Sequence, residues 1–245
     1  MEELEKTRKI VKTSFFIAVV TVAVLLVFPY DMKPKEWGIY ASSYFVTTLG
    51  LTVGGAAIGI LLGMLLAFLK FQKTNIEILD MIKDVIIDEY VDIMRGTPMV
   101  LQLLTLSFVV VILNNYWIAL IALGLNSAAY VEETIRSGIE SIDKGQMEAA
   151  RATGMPYRVA MNEIIMPQAV KNILPALVNE FINLFKETAV VGYISVVDIT
   201  MNSKSLQAAY YSVKPILFTG LVYYISVKLF SFIGKRLEMK LKEND

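Results

Sequence analysis

Cysteine and histidine are both absent from the 245 residues. That excludes a disulfide framework, a Cys/His zinc site, a thiolate nucleophile and an imidazole base. It says nothing about the redox compartment, because a residue that is not there reports no environment. An excess of charge of either sign is absent too. The 23 Lys and Arg balance the 23 Asp and Glu, so neither nucleic acid nor a disordered acidic tail is indicated. No G-x-x-x-x-G-K-[ST] phosphate loop occurs, since Gly234-Lys235-Arg236 lacks the upstream glycine and the hydroxyl. Without a G-x-S-x-G elbow either, an intramembrane enzyme is left with no usual nucleophile or base.

What the chain has in plenty is apolar surface. Hydrophobic residues make up 56%, charged residues 19% and the mean hydropathy is +0.56, against roughly 25% charged in soluble domains. A helix that crosses a bilayer needs about 20 largely apolar residues. Six runs offer this: residues 10–28, 44–69, 98–113, 117–134, about 171–196 and 215–234. The first follows Lys6, Arg8, Lys9 and Lys12, which also describes a signal peptide. No small-residue cleavage site follows Pro29, so an uncleaved helix is expected. In the second, Gly55, Gly59 and Gly63 share one face, where another helix backbone can approach closely. The third opens at Arg95-Gly96-Thr97-Pro98, with Thr97 as cap and Pro98 in the first turn. The expected fold is an all-α polytopic membrane bundle of six helices.

Six crossings place both termini on one side. Lys and Arg number 17 in the tails and loops of that side and 4 in the opposite loops, so the positive-inside rule puts both ends and the 137–166 connection in the cytoplasm. The short external loops are expected at 30–40, 114–117 and about 197–214 as surface connections.

Ionisable groups inside a span cost about 2.5–3.5 kcal/mol each on insertion scales, so they face a bundle interior or an aqueous cavity. The fifth run holds Asn179, Glu180, Asn183, Lys186 and Glu187 within an arc of roughly 120°. The fourth holds Asn126, Tyr130 and Glu133 at i, i+4, i+7, flanked by Ser127 and Thr134. Glu132 points nearly opposite and is expected at the cytoplasmic surface. Two roles fit these stripes: gluing helices through a pair such as Lys186 with Glu133, or lining a solute path with Asn126, Tyr130, Glu133, Asn179, Glu180 and Asn183. Carboxylates and amides supply the acceptors and donors that a zwitterion needs, and Glu133 is a candidate for meeting a cationic side chain.

Between the fourth and fifth runs, Gly145 to Ala152 forms a helix pattern stopped by Gly154, and a second short helix is expected from Tyr157 to Ile165, ending at Pro167. Glu148-Ala149-Ala150, with Gly154, Ile164 and Pro167 at their spacing, resembles the cytoplasmic EAA loop of membrane subunits of bacterial ABC importers. Arg95-Gly96-Thr97-Pro98 with Gln102, Leu125 to Tyr130 with Glu133 and Arg136, Pro167-Gln168-Ala169, and Leu174 to Phe181 with Lys186-Glu187-Thr188 narrow the resemblance to polar amino acid permeases. Met166, Glu187 and Ala189 depart from the family's usual Leu, Asp and Ser; only Ala189 loses a hydrogen-bonding group.

The resemblance covers about residues 45–236. It implies a type I importer-like five-helix core plus an extra N-terminal helix, divided as residues 1–40 (tail, extra helix, external loop), 41–236 (transmembrane domain with the coupling loop at 137–167) and 237–245 (charged tail). It implies a non-catalytic permease in the bacterial inner membrane that pairs with a second, identical or different, permease subunit. Its other partners are two cytoplasmic ATP-binding subunits, which hold the ATP and Mg, and an external solute-binding protein that delivers the amino acid. Coupling falls to Glu148, Ala149, Ala150, Gly154, Ile164 and Pro167. An ion-coupled secondary carrier or a channel would use the same intramembrane Glu and Lys without ATP. No inverted repeat is evident, and such a carrier has no need of an EAA-like loop.

Overall fold

Apolar runs bounded by Pro, Asn and Gly become helices throughout, and a computed structural model describes residues 2–72, 74 and 76–242, with no strand among them. In chain order the helices are α1 (Glu2–Val27), α2 (Pro34–Ser42), α3 (Leu49–Phe71), α4 (Glu77–Gly96), α5 (Met99–Val109) and α6 (Asn115–Glu140). They continue with α7 (Lys144–Ala152), α8 (Tyr157–Ala160), α9 (Met166–Glu187), α10 (Ile199–Tyr210) and α11 (Lys214–Lys242). A π-helical turn, Ser43–Thr48, joins α2 to α3, and another, Met161–Ile165, joins α8 to α9.

The centre is α6, packed against α3 and α9. Lipid offers little hydrophobic drive between helices, so close backbone approach and dispersion must hold them. A Cβ on Gly59 would lie 2.6 Å from Ser127, and one on Gly63 would lie 2.6 Å from Val131 and 2.7 Å from the Ala128 carbonyl. The absence of a side chain at these two positions is what lets α3 lie on α6. Leu51, Leu123 and Leu184, all fully buried, fill the joint with α9. At the edge, α1 touches α11 through Phe16 with Tyr224 (ring centroids 6.0 Å apart) and Phe28 with Phe218 (5.5 Å). The two helices therefore run antiparallel.

Four continuous helical stretches are long and apolar enough to cross a membrane: Lys6–Val27, Pro34–Phe71, Asn115–Glu140 and Lys214–Lys240. The expected third span departs from its pattern. Pro98 and Thr97 are extended, and α5 beyond them has 11 residues, about 16 Å, which is half of a hydrocarbon core. The expected external connection 197–214 is also more than a surface loop. It contains α10, whose N-cap Asp198 is fully buried and accepts from the Thr200 and Met201 main-chain N–H groups, while Thr48 accepts from the Ile199 N–H.

Two further expectations are corrected. Pro167 does not stop the second loop helix; it sits in the first turn of α9, where a missing N–H is tolerated, two residues after the end of the π-helical turn. Glu132 does not reach the surface: it is 1% exposed.

Candidate functional site

From Lys171 to Glu187, the residues of α9 that stand exposed are Asn172, Asn179, Asn183 and Lys186, every one polar. They recur at i, i+7, i+11 and i+14, within an arc of about 60°. Apolar Ile173, Ile182, Leu184 and Phe185 are buried on the other sides. The expected fifth span, 171–196, is not among the four long apolar stretches, since α9 ends at Glu187, and an open polar stripe on it is incompatible with lipid and must face protein or water. Of the expected path residues, Asn179 and Asn183 lie on it.

Asn126, Tyr130 and Glu133 are engaged differently: this stripe of α6 holds the break between α4 and α5. Extended backbone at Thr97–Pro98 leaves carbonyls at the end of α4 without helical partners. The Gln102 side-chain amide donates to the Met94 carbonyl (2.7 Å) and the Thr97 carbonyl (3.0 Å). Asn126, 2% exposed, donates to the Met94 carbonyl (3.1 Å) and to Gln102 Oε1 (3.0 Å). The Thr97 hydroxyl donates to the Ile93 carbonyl (2.7 Å), and the Tyr90 hydroxyl donates across to the Leu125 carbonyl (2.6 Å). One turn further, the Arg95 guanidinium lies 5.6 Å from the Tyr130 ring centroid and 3.2 Å from the Glu133 carboxylate. Arg136 adds a second ion pair to Glu133 at 2.6 Å and also reaches Glu140.

The expected bond between Lys186 and Glu133 is absent among the described residues; Glu133 is held by two arginines instead. Glu180, 8% exposed, turns inward and accepts from the Ser127 hydroxyl at 3.1 Å. That bond joins α6 to α9 next to the polar stripes. Sequence periodicity found the stripes but missed Met94 and the joint itself. Gln102 four residues after Pro98 was the signal, since a helix broken at a proline needs a side-chain amide to satisfy its free carbonyls.

At the far end of α6, the 137–167 loop folds as a knob. The Asp143 side chain caps α7 by accepting from the Gly145 N–H at 2.7 Å. Gly154 closes it with φ +84°, the Gly154 and Met155 N–H groups donating to the Arg151 and Ala150 carbonyls at 3.0 and 3.2 Å. Ala150 is buried and faces the second short helix; Glu148, Ala149, Tyr157, Val159 and Pro167 are exposed, and Ile164 is half-buried. Asn172 of α9 donates to Ser141 at 2.9 Å and ties the knob to both flanking helices. Elsewhere, a groove of about 430 Å³ runs along α4 past Glu77, Asp80, Asp84 and Asp88, away from both stripes. Two main-chain contacts from the Thr74 N–H, at 3.0 and 2.9 Å, hold the Asp80 carboxyl below the ordinary carboxylate range. No group of acidic side chains suited to a metal ion occurs among the described residues.

A helical bundle with long apolar stretches, an open polar stripe on α9 and a capped knob beyond it has the layout of a membrane-embedded transporter subunit. Residues 59–243 match the model of the family described as binding-protein-dependent transport system inner membrane component, and the chain belongs to that family. It is 45% identical over 204 residues to the arginine transport system permease protein ArtQ of Bacillus subtilis, covering 81% of this chain and 90% of that one. It is 38% identical over 225 residues to the putative glutamine transport system permease protein GlnP of Rickettsia conorii, covering 89% and 100%. The crystal structure of an amino acid ABC transporter with histidines superimposes with a TM-score of 0.75 at 34% identity, over 84% of this chain and 95% of that one. The MetNI methionine ABC transporter, at 21% identity and a TM-score of 0.66, shares the fold. The chain is thus a multi-pass permease subunit of an amino acid ABC transporter.

Proposed function

We propose that this permease forms one half of an ATP-driven import path for a polar amino acid delivered by an external solute-binding protein. The observation that carries the reading is the exposed polar stripe Asn172, Asn179, Asn183 and Lys186 on α9. A second permease subunit, identical or not, closes over it and makes an aqueous path. The names of ArtQ and GlnP support a polar substrate. Asn179 and Asn183 line the path, with Glu180 set into its wall; Asn126, Tyr130 and Glu133 support that wall from α6. Glu133 is neutralised by Arg95 and Arg136 and Glu180 is buried against Ser127, so the exposed amides of Asn179 and Asn183 are the groups offered to the solute.

The energy comes from two separate ATPase subunits, which bind the ATP and Mg. Glu148, Ala149, Ala150, Gly154, Ile164 and Pro167 form the element they grip. Because the knob lies between α6 and α9 in the chain, its displacement moves both stripes together. The 17 to 4 distribution of basic residues supports a bacterial inner membrane placement with both termini cytoplasmic. With the α4–α5 joint counted as one crossing and α9 as another, the count reaches six.

Reconstituted vesicles test this. With ATPase subunits and solute-binding protein, the wild type accumulates amino acid only with internal ATP. The N179L/N183L variant loses at least about tenfold of the uptake while still binding the ATPase. Uptake by this permease without any ATPase contradicts the proposal and favours an ion-coupled carrier.

A further inference from the structure

We propose that the lipid-facing groove between α1 and α11 binds the headgroup of an anionic phospholipid through Lys12, Lys228 and Lys235. α1 lies outside the residues matched by the family model, so this site is an addition to the transporter core. Tyr224, Lys228 and Lys235 fall within about 40° of one another on α11. Tyr224 packs on Phe16, so this side of α11 faces α1. On α1, Lys12 lies about 40° from Phe16, on the side that faces α11. The antiparallel register set by Phe28 with Phe218 and Phe16 with Tyr224 brings Lys12 level with the segment between Lys228 and Lys235.

Three cations thus converge on one groove. All three are exposed, and none forms an ion pair with a carboxylate of the described residues; the contact given for Lys228 is with the Tyr224 ring, 5.4 Å to the centroid. Like charges gathered at the membrane edge repel unless an anion sits among them. The walls of the groove specify which anion. The apolar window of α1 has 0% of its residues buried and that of α11 has 11%, with Leu229 and Phe232 exposed beside the lysines. Acyl chains fit those walls and a phosphate fits the lysines, as in basic pockets between membrane helices that hold anionic headgroups. Lys12 lies ten residues into α1, Lys228 at the middle of α11 and Lys235 two turns nearer its end, and the site needs no assumption about what the permease transports.

Native mass spectrometry of the purified protein, titrated with phosphatidylglycerol or phosphatidylcholine, tests the site. The wild type is expected to retain phosphatidylglycerol in preference. The K12Q/K228Q/K235Q variant is expected to lose that retention by at least about tenfold, since each basic residue contributes about fivefold near an anionic surface. A control, K35Q/K144Q/K204Q, removes equal charge from exposed positions elsewhere and is expected to retain the lipid. Equal retention of the two lipids by the wild type overturns the proposal, as does equal loss in both triple variants. A dimer formed through α1 that the K12Q/K228Q/K235Q variant abolishes also overturns it, because a second copy then fills the groove.

Discussion

The Asn126 side chain, near the middle of α6, donates to the Met94 main-chain carbonyl 3.1 Å away at the end of α4. A residue that periodicity assigns to a solute path is therefore spent on holding a broken helix together. Gln102 shares the same carbonyl at 2.7 Å, so two amides stand in for the helical hydrogen bonds that Pro98 and the extended Thr97 remove.

Replacing Asn126 or Gln102 by Leu leaves buried acceptors at this joint underserved. Each substitution is expected to lower stability by about 1–3 kcal/mol. Because the two amides share one network, the double variant should lose less than the sum. Thermal unfolding of the purified protein measures both. Unchanged midpoints for the single variants would show that the joint is held by packing alone.

Gly59 of α3 differs in kind from Gly220 of α11. Gly59→Leu drives a side chain into Ser127, so correctly folded protein is expected to fall sharply in detergent extracts. Gly220 has nothing within 4 Å of an added Cβ, and Gly220→Ala is expected to stay within about 0.5 kcal/mol of wild type. Fluorescence-detected gel filtration compares the two directly.

Gly154 has φ +84° and open space around it, so Gly154→Val costs backbone strain of about 1–2 kcal/mol without a clash. The knob should distort while the bundle survives. Membrane insertion is expected to be retained, with stimulation of the ATPase partners lost. Wild-type stimulation would show that the knob is not the coupling element.

The contact between Thr74 and Asp80 should respond to acid. Main-chain bonding from Thr74 lowers the Asp80 carboxyl relative to the unfolded chain, so its contribution is complete above the ordinary carboxylate range near pH 4. It is lost as the pH falls through the lowered folded value. Proteolysis at 72–76 is expected to quicken at that lower pH in wild type, and already at neutral pH in Asp80→Asn. Identical digestion of the two at neutral pH counts against it.

Helix class and the two polar stripes were legible because bilayer thickness and the 3.6-residue period act on local sequence. The Gly55, Gly59 and Gly63 spacing named the α3 face that meets α6, and Gly154 named the end of α7. Partners were not legible. Asn126 meets Met94 across 32 residues and Glu180 meets Ser127 across 53, and no local pattern encodes which helix lies opposite. The 98–113 run looked long enough to span because hydropathy does not register that α5 stops at Val109 and leaves residues 110–113 outside the helix. Asp198 and α10 were missed for a related reason: a polar, short segment resembles a surface loop until the hydroxyl of Thr48 and the side chain of Asp198 are seen to satisfy its first N–H groups.

The absence of native cysteine makes single-cysteine labelling of this chain free of background, and one comparison bears most directly on the path. N183C places a thiol on the polar stripe of α9, and I225C places one on the lipid-facing side of α11. In the assembled transporter, a membrane-impermeant thiosulfonate is expected to modify N183C and not I225C, and the transported amino acid is expected to slow the reaction at N183C. A thiol at residue 183 as unreactive as the one at 225 would contradict an aqueous path along α9.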